Sequence, residues 1–377
     1  MAMRLCIVTH SFAKGSGQGR VNYEVVKEAL RQKHHITLIG SEIATEFEEH
    51  DLISWVPIRV EKWPTELLKN IAFSIQASSW IQQHRAEFDL INVNGAITAA
   101  KSDVNAVHFV HSAWLQSPVH TSRVRRDLYG LYQWCYTSIN SFWEKQAFRN
   151  AKTVVAVSER VAKELVALGV SSERIRVIIN GVDTEEFAPG SVSRNTLGLP
   201  DNVPLALFTG DIRTSRKNLD TVLLALLKVP DLHIAIAGRT DDSPYPQMAK
   251  QLGISQRTHF LDYRRDIPAL MKAADFFVFP SRYEPWGLAL VEAMASGLPV
   301  ITAITAGGAE LVTSESGIVL DDPNDIESLT DAMRKLSGSN EHRQKMGEAA
   351  RVIAERQSWE AMAQQYLGLF KAMMQMQ

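Results

Sequence analysis

Short β-branched runs alternate with amphipathic stretches along this chain, and the alternation stops once and then restarts. The runs fall at residues 5–9, 36–39, 90–93, 107–110, 154–157 and 176–179, then at 205–209, 232–237, 258–261, 275–279 and 299–303. Helical periodicity fills the spaces between them, as at 21–32 and 67–84. Strands separated by helices are joined by crossovers, so they lie parallel, and the pattern predicts α/β architecture. The interruption runs from Asn180 to Gly190. Asn180, Gly181, Asp183, Pro189 and Gly190 are turn formers, and apolar periodicity lapses there. The prediction is two Rossmann-like parallel-sheet domains, residues 1–182 and 183–356, facing a deep interdomain cleft at the carboxyl ends of both sheets. Chemistry in such a cleft profits from closure, which excludes water.

A length of 377 residues accommodates two domains, and 45% hydrophobic with 22% charged residues is ordinary for a soluble protein. Forty Lys plus Arg stand against 42 Asp plus Glu, which gives no general attraction to nucleic acid. The two cysteines, Cys6 and Cys135, argue against a disulfide framework and suit a reducing cytoplasm. Thr9 and His10 end the first apolar run too early for a signal peptide, and no run reaches the length of a membrane span.

The richest segment runs from Phe279 to Ile301. It reads as a strand end, a loop bracketed by Pro280 and Pro285, a helix opened by Gly287 and closed by Gly297, and the next strand. Backbone amides of Trp286, Gly287 and Leu288 at that helix start suit a phosphate. Glu284 in the loop and Glu292 in the helix are acceptors for sugar hydroxyls. Glu292 interrupts an apolar helix (Leu288, Leu290, Val291, Ala293, Met294), and a buried carboxylate needs a partner.

A second loop, Thr209 to Asn218, places Arg213, Arg216 and Lys217 just before a helix, which suits a diphosphate. The glycine-rich loop Gly15, Gly17, Gly19 lacks the dinucleotide spacing. His108 and His111 are read at the end of a strand. Their odd spacing predicts opposite strand faces, with one histidine toward the cleft. No thiolates or carboxylates join them as a zinc site. The stretch 120–149 mixes Arg123, Arg125 and Arg126 with aromatic residues at helical spacing. Core packing explains most of them, and peripheral membrane or acceptor contact is the other reading. Residues 241–245 follow a strand.

These segments together resemble the retaining glycosyltransferases of the GT-B fold, the large bacterial group 1 family of mannosyl-, glucosyl- and N-acetylglucosaminyltransferases. The resemblance covers nearly the whole chain. It rests on Gly17 in the first loop, His111-Ser112, the Asn180-Gly181-Val182-Asp183 signature, Lys217, and the Glu284/Glu292 pair. It implies transfer of a sugar from a nucleotide-diphosphate donor to a hydroxyl on a glycan, glycolipid or small molecule, in cell-surface glycan or glycoconjugate biosynthesis. It implies catalytic roles for His111, Lys217 and Glu284, the histidine contacting the transferred sugar. Gly17, Arg213, Lys217, Glu284, Trp286, Gly287, Leu288 and Glu292 would bind the donor, with ribose on Glu292. It implies too that residues 241–245 lie on the nucleotide side and that backbone around 261–264 meets the base. It also implies no metal or other cofactor, and a last helix within 357–377 that returns to the first domain. Two departures stand out. Ser16 replaces a common glycine, and Asp211 stands where the family has arginine, leaving Arg213 to supply that charge. A nucleotide-sugar epimerase, or a non-catalytic nucleotide-sugar-binding partner of a transferase, are the competing readings.

Overall fold

The computed structural model describes residues 2–15 and 17–375. It divides into two compact units, 1–181 with 359–377, and 182–358. The first is built on seven parallel strands: β1 (Arg4–Val8), β2 (His35–Gly40), β3 (Ile53–Pro57), β4 (Leu90–Asn94), β5 (Ser102–Val107), β6 (Ala151–Ala156) and β7 (Ile175–Val177). Their spatial order is 3-2-1-4-5-6-7. The second has six: β8 (Leu205–Thr209), β9 (His233–Ala237), β10 (Thr258–Phe260), β11 (Phe276–Phe279), β12 (Val300–Ala303) and β13 (Gly317–Leu320). Their order, β10-β9-β8-β11-β12-β13, repeats the same doubly wound pattern. The helices used below are α1 (Gly17–Arg31), α2 (Glu66–His84), α3 (His111–Gln116), α4 (Leu128–Asn150), α5 (Leu219–Leu227), α6 (Leu288–Ala295) and α7 (Trp359–Gln375).

The central strands β1, β8 and β11 are apolar almost throughout because helices cover both sheet faces. In the second unit, Phe208, Ile236, Phe276, Val278 and Ile301 pack with Leu219, Val222 and Leu226 of α5 into one core. α7 buries Trp359, Met362, Ala363, Tyr366, Leu367 and Phe370, a single helical stripe, and packs on α1. Arg31 to Glu360 (3.8 Å) and Lys371 to Gln32 (2.7 Å) flank that packing.

Three expectations need correction. The strand expected at 107–110 lies at Ser102–Val107, and His108 to Val110 form the connection to α3. Its polar residues hide it from hydropathy. Asp103 is fully buried yet accepts from Ile91 N (2.8 Å) and pairs with Arg85 (2.8 Å) and Lys152 (2.9 Å). Asn105 exchanges two hydrogen bonds with the Gly95 backbone. Two strands were also missed, β3 and β13. Both lie at sheet edges, β3 is half-exposed and ends at Pro57, and β13 begins with glycine.

Candidate active site

Chain order reverses between β1 and β4 in the first sheet, and between β8 and β11 in the second. The loops leaving such a pair of strands diverge to opposite faces and open a crevice at their carboxyl ends. In the second unit those loops are 210–218, after β8, and 280–287, after β11. Lys217 comes from the first and Glu284 from the second, 67 residues apart in sequence. They form a buried ion pair, with Arg216 3.6 Å from the same carboxylate oxygen. Burial alone would raise the Glu284 carboxyl, but the Lys217 and Arg216 charges outweigh it and hold it below the usual range. Burial lowers the Lys217 ammonium against the pull of Glu284.

The surrounding structure fixes this pair. The Lys217 ammonium sits 4.6 Å from the centre of the Phe279 ring. Its stem lies against Gly210, where φ is +145° and a Cβ would come within 3.2 Å of the lysine. Asn218 adopts left-handed backbone at φ 67° and donates to the Pro280 carbonyl (2.9 Å), tying the two loops together. Arg282 donates to the Ser215 carbonyl (2.9 Å) and grips Asp220 through two nitrogens (2.9 and 2.7 Å). Gly210, Phe279 and Arg282 escaped the sequence reading. Of these, only glycine directly after a strand carried a local signal.

Glu284 also joins the next loop, as its amide donates to the Thr305 carbonyl (3.2 Å) and its carbonyl accepts from Gly307 N (2.8 Å). Trp286 is buried, and its carbonyl accepts from Gly308 N (2.7 Å). Gly287 then turns the chain into α6 at φ +100°. A Cβ there would meet Phe279 at 3.0 Å and Glu284 at 3.3 Å. Gly287→Ala is therefore expected to destabilise the protein by roughly 1–3 kcal/mol, the cost of strained backbone and contact together. Urea unfolding checks this, and unaltered stability would mean that the turn is not strained.

At the start of α6 Leu290 N donates to the Gly287 carbonyl (3.0 Å), and the amides before it precede any acceptor inside the helix. Leu290, Val291, Ala293, Met294 and Ala295 are buried, whereas Leu288, Ala289 and Glu292 form a partly open face. Glu292 is thus half-buried rather than enclosed. Its position on the open face of the helix whose start bears Gly287 is what marks it.

Arg213 is held by Asp211, with Nε 2.9 Å from Oδ1 and Nη2 3.1 Å from Oδ2. The arginine expected to replace a missing charge is offset by the aspartate that stands in that place. Both line a cavity of about 420 Å³ at the ends of β8, β9 and β10, with Gly210, Gly238, Tyr263 and Arg264. Residues 241–245 do not line it; Ser243 donates to the Ile212 carbonyl (2.7 Å), and Tyr245 belongs to the core.

In the first unit, Gly17 is the first residue of α1, and Ser16 lies outside the described residues. His111 opens α3 and does not end a strand. The alternating-face argument fails with it, because His108 and His111 line the same cavity of about 520 Å³. Among the described residues both nitrogens of His108 and Nδ1 of His111 are buried without a hydrogen-bond partner. Burial pushes both imidazoles down to about 4. Glu144, from α4, accepts from the amides of His111 and Ser112 (2.7 Å each) and fixes the start of α3.

Among the described residues no three His, Cys, Asp or Glu side chains cluster as a metal site, and no helix is long and apolar enough to cross a membrane.

Residues 191–352 match the family described as glycosyl transferases group 1, and residues 15–186 match glycosyltransferase family 4. D-inositol 3-phosphate glycosyltransferase of Corynebacterium glutamicum is 29% identical over 335 residues, 82% of this chain and 78% of that protein. An uncharacterized glycosyltransferase of Methanocaldococcus jannaschii is 26% identical over 72% of each chain. Among solved structures, sucrose-phosphate synthase of Thermosynechococcus elongatus superposes with a TM-score of 0.78 at 19% identity over 100% of both chains. HepE of Anabaena, in complex with UDP and glucose, gives 0.72 at 22% identity over 98% of this chain and 100% of its own. With its two halves matched by two glycosyltransferase families and both sheets wound in the same order, this chain belongs to the glycosyltransferases of the GT-B fold.

Proposed function

We propose that this enzyme moves a hexose from a nucleoside-diphosphate sugar to an acceptor hydroxyl, with retention of anomeric configuration. The observation that carries the proposal is the Lys217–Glu284 pair, with Arg216, at the switch point of the second sheet and beside the start of α6. A diphosphate placed there meets two cations and the free amides of Trp286, Gly287 and Leu288. Glu284 accepts from the hexose hydroxyls and Glu292 from the ribose. The nucleoside fits the cavity at Gly210, Tyr263 and Arg264, its base against the backbone of 261–264, and Arg213 lies at its edge. HepE, a protein of the same fold, was solved with UDP and glucose, which supports a donor of this class.

In the reaction the anomeric carbon–oxygen bond to the diphosphate breaks and the pair of electrons leaves with the phosphate oxygen. The acceptor oxygen bonds the same carbon on the same face and passes its proton to the departing diphosphate oxygen, which has just taken up the electron pair. Negative charge grows on the diphosphate as that bond lengthens, so preorganised cations and amides lower the barrier. Lys217, Arg216 and the amides supply the positive field, and the proposed reaction needs no divalent metal. Proton NMR of the first product formed from an α-linked donor is expected to show an α linkage, with turnover unchanged by chelator. A β linkage, or activity lost to chelator and restored by magnesium or manganese, would overturn the proposal.

A further inference from the structure

The first unit's cavity lies at the carboxyl ends of β1, β2, β4 and β5, across that sheet's own switch point. His10 follows β1, Ser41 follows β2, Gly95 to Ile97 follow β4, and His108 follows β5. At about 520 Å³ it is sized for a small molecule. Its charges are already balanced. Lys69 is the cation among the described lining residues, and it is paired with Glu66 at 2.7 Å. The Glu144 carboxylate is turned onto two backbone amides. His10, His108 and His111 are all shifted down by burial, so at neutral pH they add no positive charge.

What remains is uncharged and able both to donate and to accept. The Tyr136 hydroxyl accepts from Asn70 (3.1 Å) and keeps its own proton, since burial raises the phenol. Asn140 is buried and spends one amide hydrogen on the Tyr136 carbonyl (2.8 Å). Gln18 and the imidazoles extend the same chemistry. A sugar hydroxyl is also both donor and acceptor, so every such group can be matched. A phosphate offers only acceptors and would lose its hydration without gaining a free cation.

We propose, on the reading that this is a sugar transferase, that this cavity takes the acceptor as an uncharged polyhydroxyl ring and discriminates against its phosphorylated counterpart. The test is saturation-transfer NMR and calorimetry on the full chain. The probes are myo-inositol and the methyl glycosides of glucose, galactose, mannose and N-acetylglucosamine, against inositol 3-phosphate and the hexose 6-phosphates. At least one neutral probe is expected to bind tenfold or more tightly than its phosphate. Equal or tighter binding of the phosphates, or no binding by any neutral probe, would overturn the proposal. Tyr136→Phe should weaken the neutral probe severalfold, and an unchanged constant would count against the site. Glu66→Gln leaves Lys69 unpaired, so it should raise phosphate binding about fivefold or more; no gain also counts against the proposal. Nucleotide affinity, read separately at the second unit, tests the donor reading, so failure of one is distinguishable from failure of the other.

Discussion

Lys217→Ala is expected to cut turnover by two to three orders of magnitude. Loss of a single preorganised donor aimed at developing oxyanion charge typically costs about 10²–10³ in kcat, and Lys217 carries a full charge within a buried site. The interaction strengthens as the diphosphate leaves, so kcat should fall further than donor affinity. The same substitution strands Glu284, whose side chain is 12% exposed. Removing one partner of a buried pair costs roughly 3–5 kcal/mol, and Arg216 at 3.6 Å offsets part of that. The two effects separate in the double variant Lys217→Ala/Glu284→Gln, where the neutral amide no longer needs a cation. Unfolding stability should recover toward wild type while turnover stays low. Wild-type turnover in Lys217→Ala would place the phosphate grip elsewhere, and Arg216 would be next to replace.

Acid should destabilise the first unit well above the pH where carboxylates normally protonate. His108 and His111 take up a proton at about 4 in the folded chain, against an ordinary value near 6.5. Above pH 6.5 both rings are neutral folded or unfolded, and they contribute nothing to pH dependence. Below it the unfolded chain gains protons that the folded chain refuses, so stability falls until the folded rings titrate near pH 4. Each histidine removes about 2 kcal/mol by pH 5 and roughly 3 kcal/mol in the limit. Against a typical total of about 5–15 kcal/mol, the pair is enough to threaten the fold. His10 shifts in the same direction, whereas Glu144, raised by burial, works against the trend. Urea titrations at pH 7 and pH 5 measure the effect, and His108→Phe should show a shallower fall than wild type. Equal stability at the two pH values would mean that these rings are solvated.

The difference between those two regions reflects how each was readable. At Glu284, Gly287 and Lys217 the residue types announce themselves locally. A carboxylate between two prolines, a glycine before an apolar helix and a basic cluster after a strand are each short-range patterns. The first-unit cavity is different. Asn70 and Tyr136 come from α2 and α4, 66 residues apart, and no period or spacing relates them. His108 and His111 misled because strand alternation was applied to residues that lie beyond the strand.

The sequence alone determined that strands and helices would alternate, that the alternation would run twice, and which loops would carry the charged residues. Those outcomes follow from periodic burial and from turn chemistry, which act over a few residues. It also yielded the edges poorly, since β3 and β13 bury only part of their surface and leave a weak pattern. Tertiary structure decided which charges meet. Lys217 finds Glu284 because β8 and β11 are neighbours at the point where winding reverses, and Arg213 is answered by Asp211 across a single turn. Whether a histidine is charged and a carboxylate is paired depends on burial and on partners brought from distant segments. That information exists only once the chain has closed on itself.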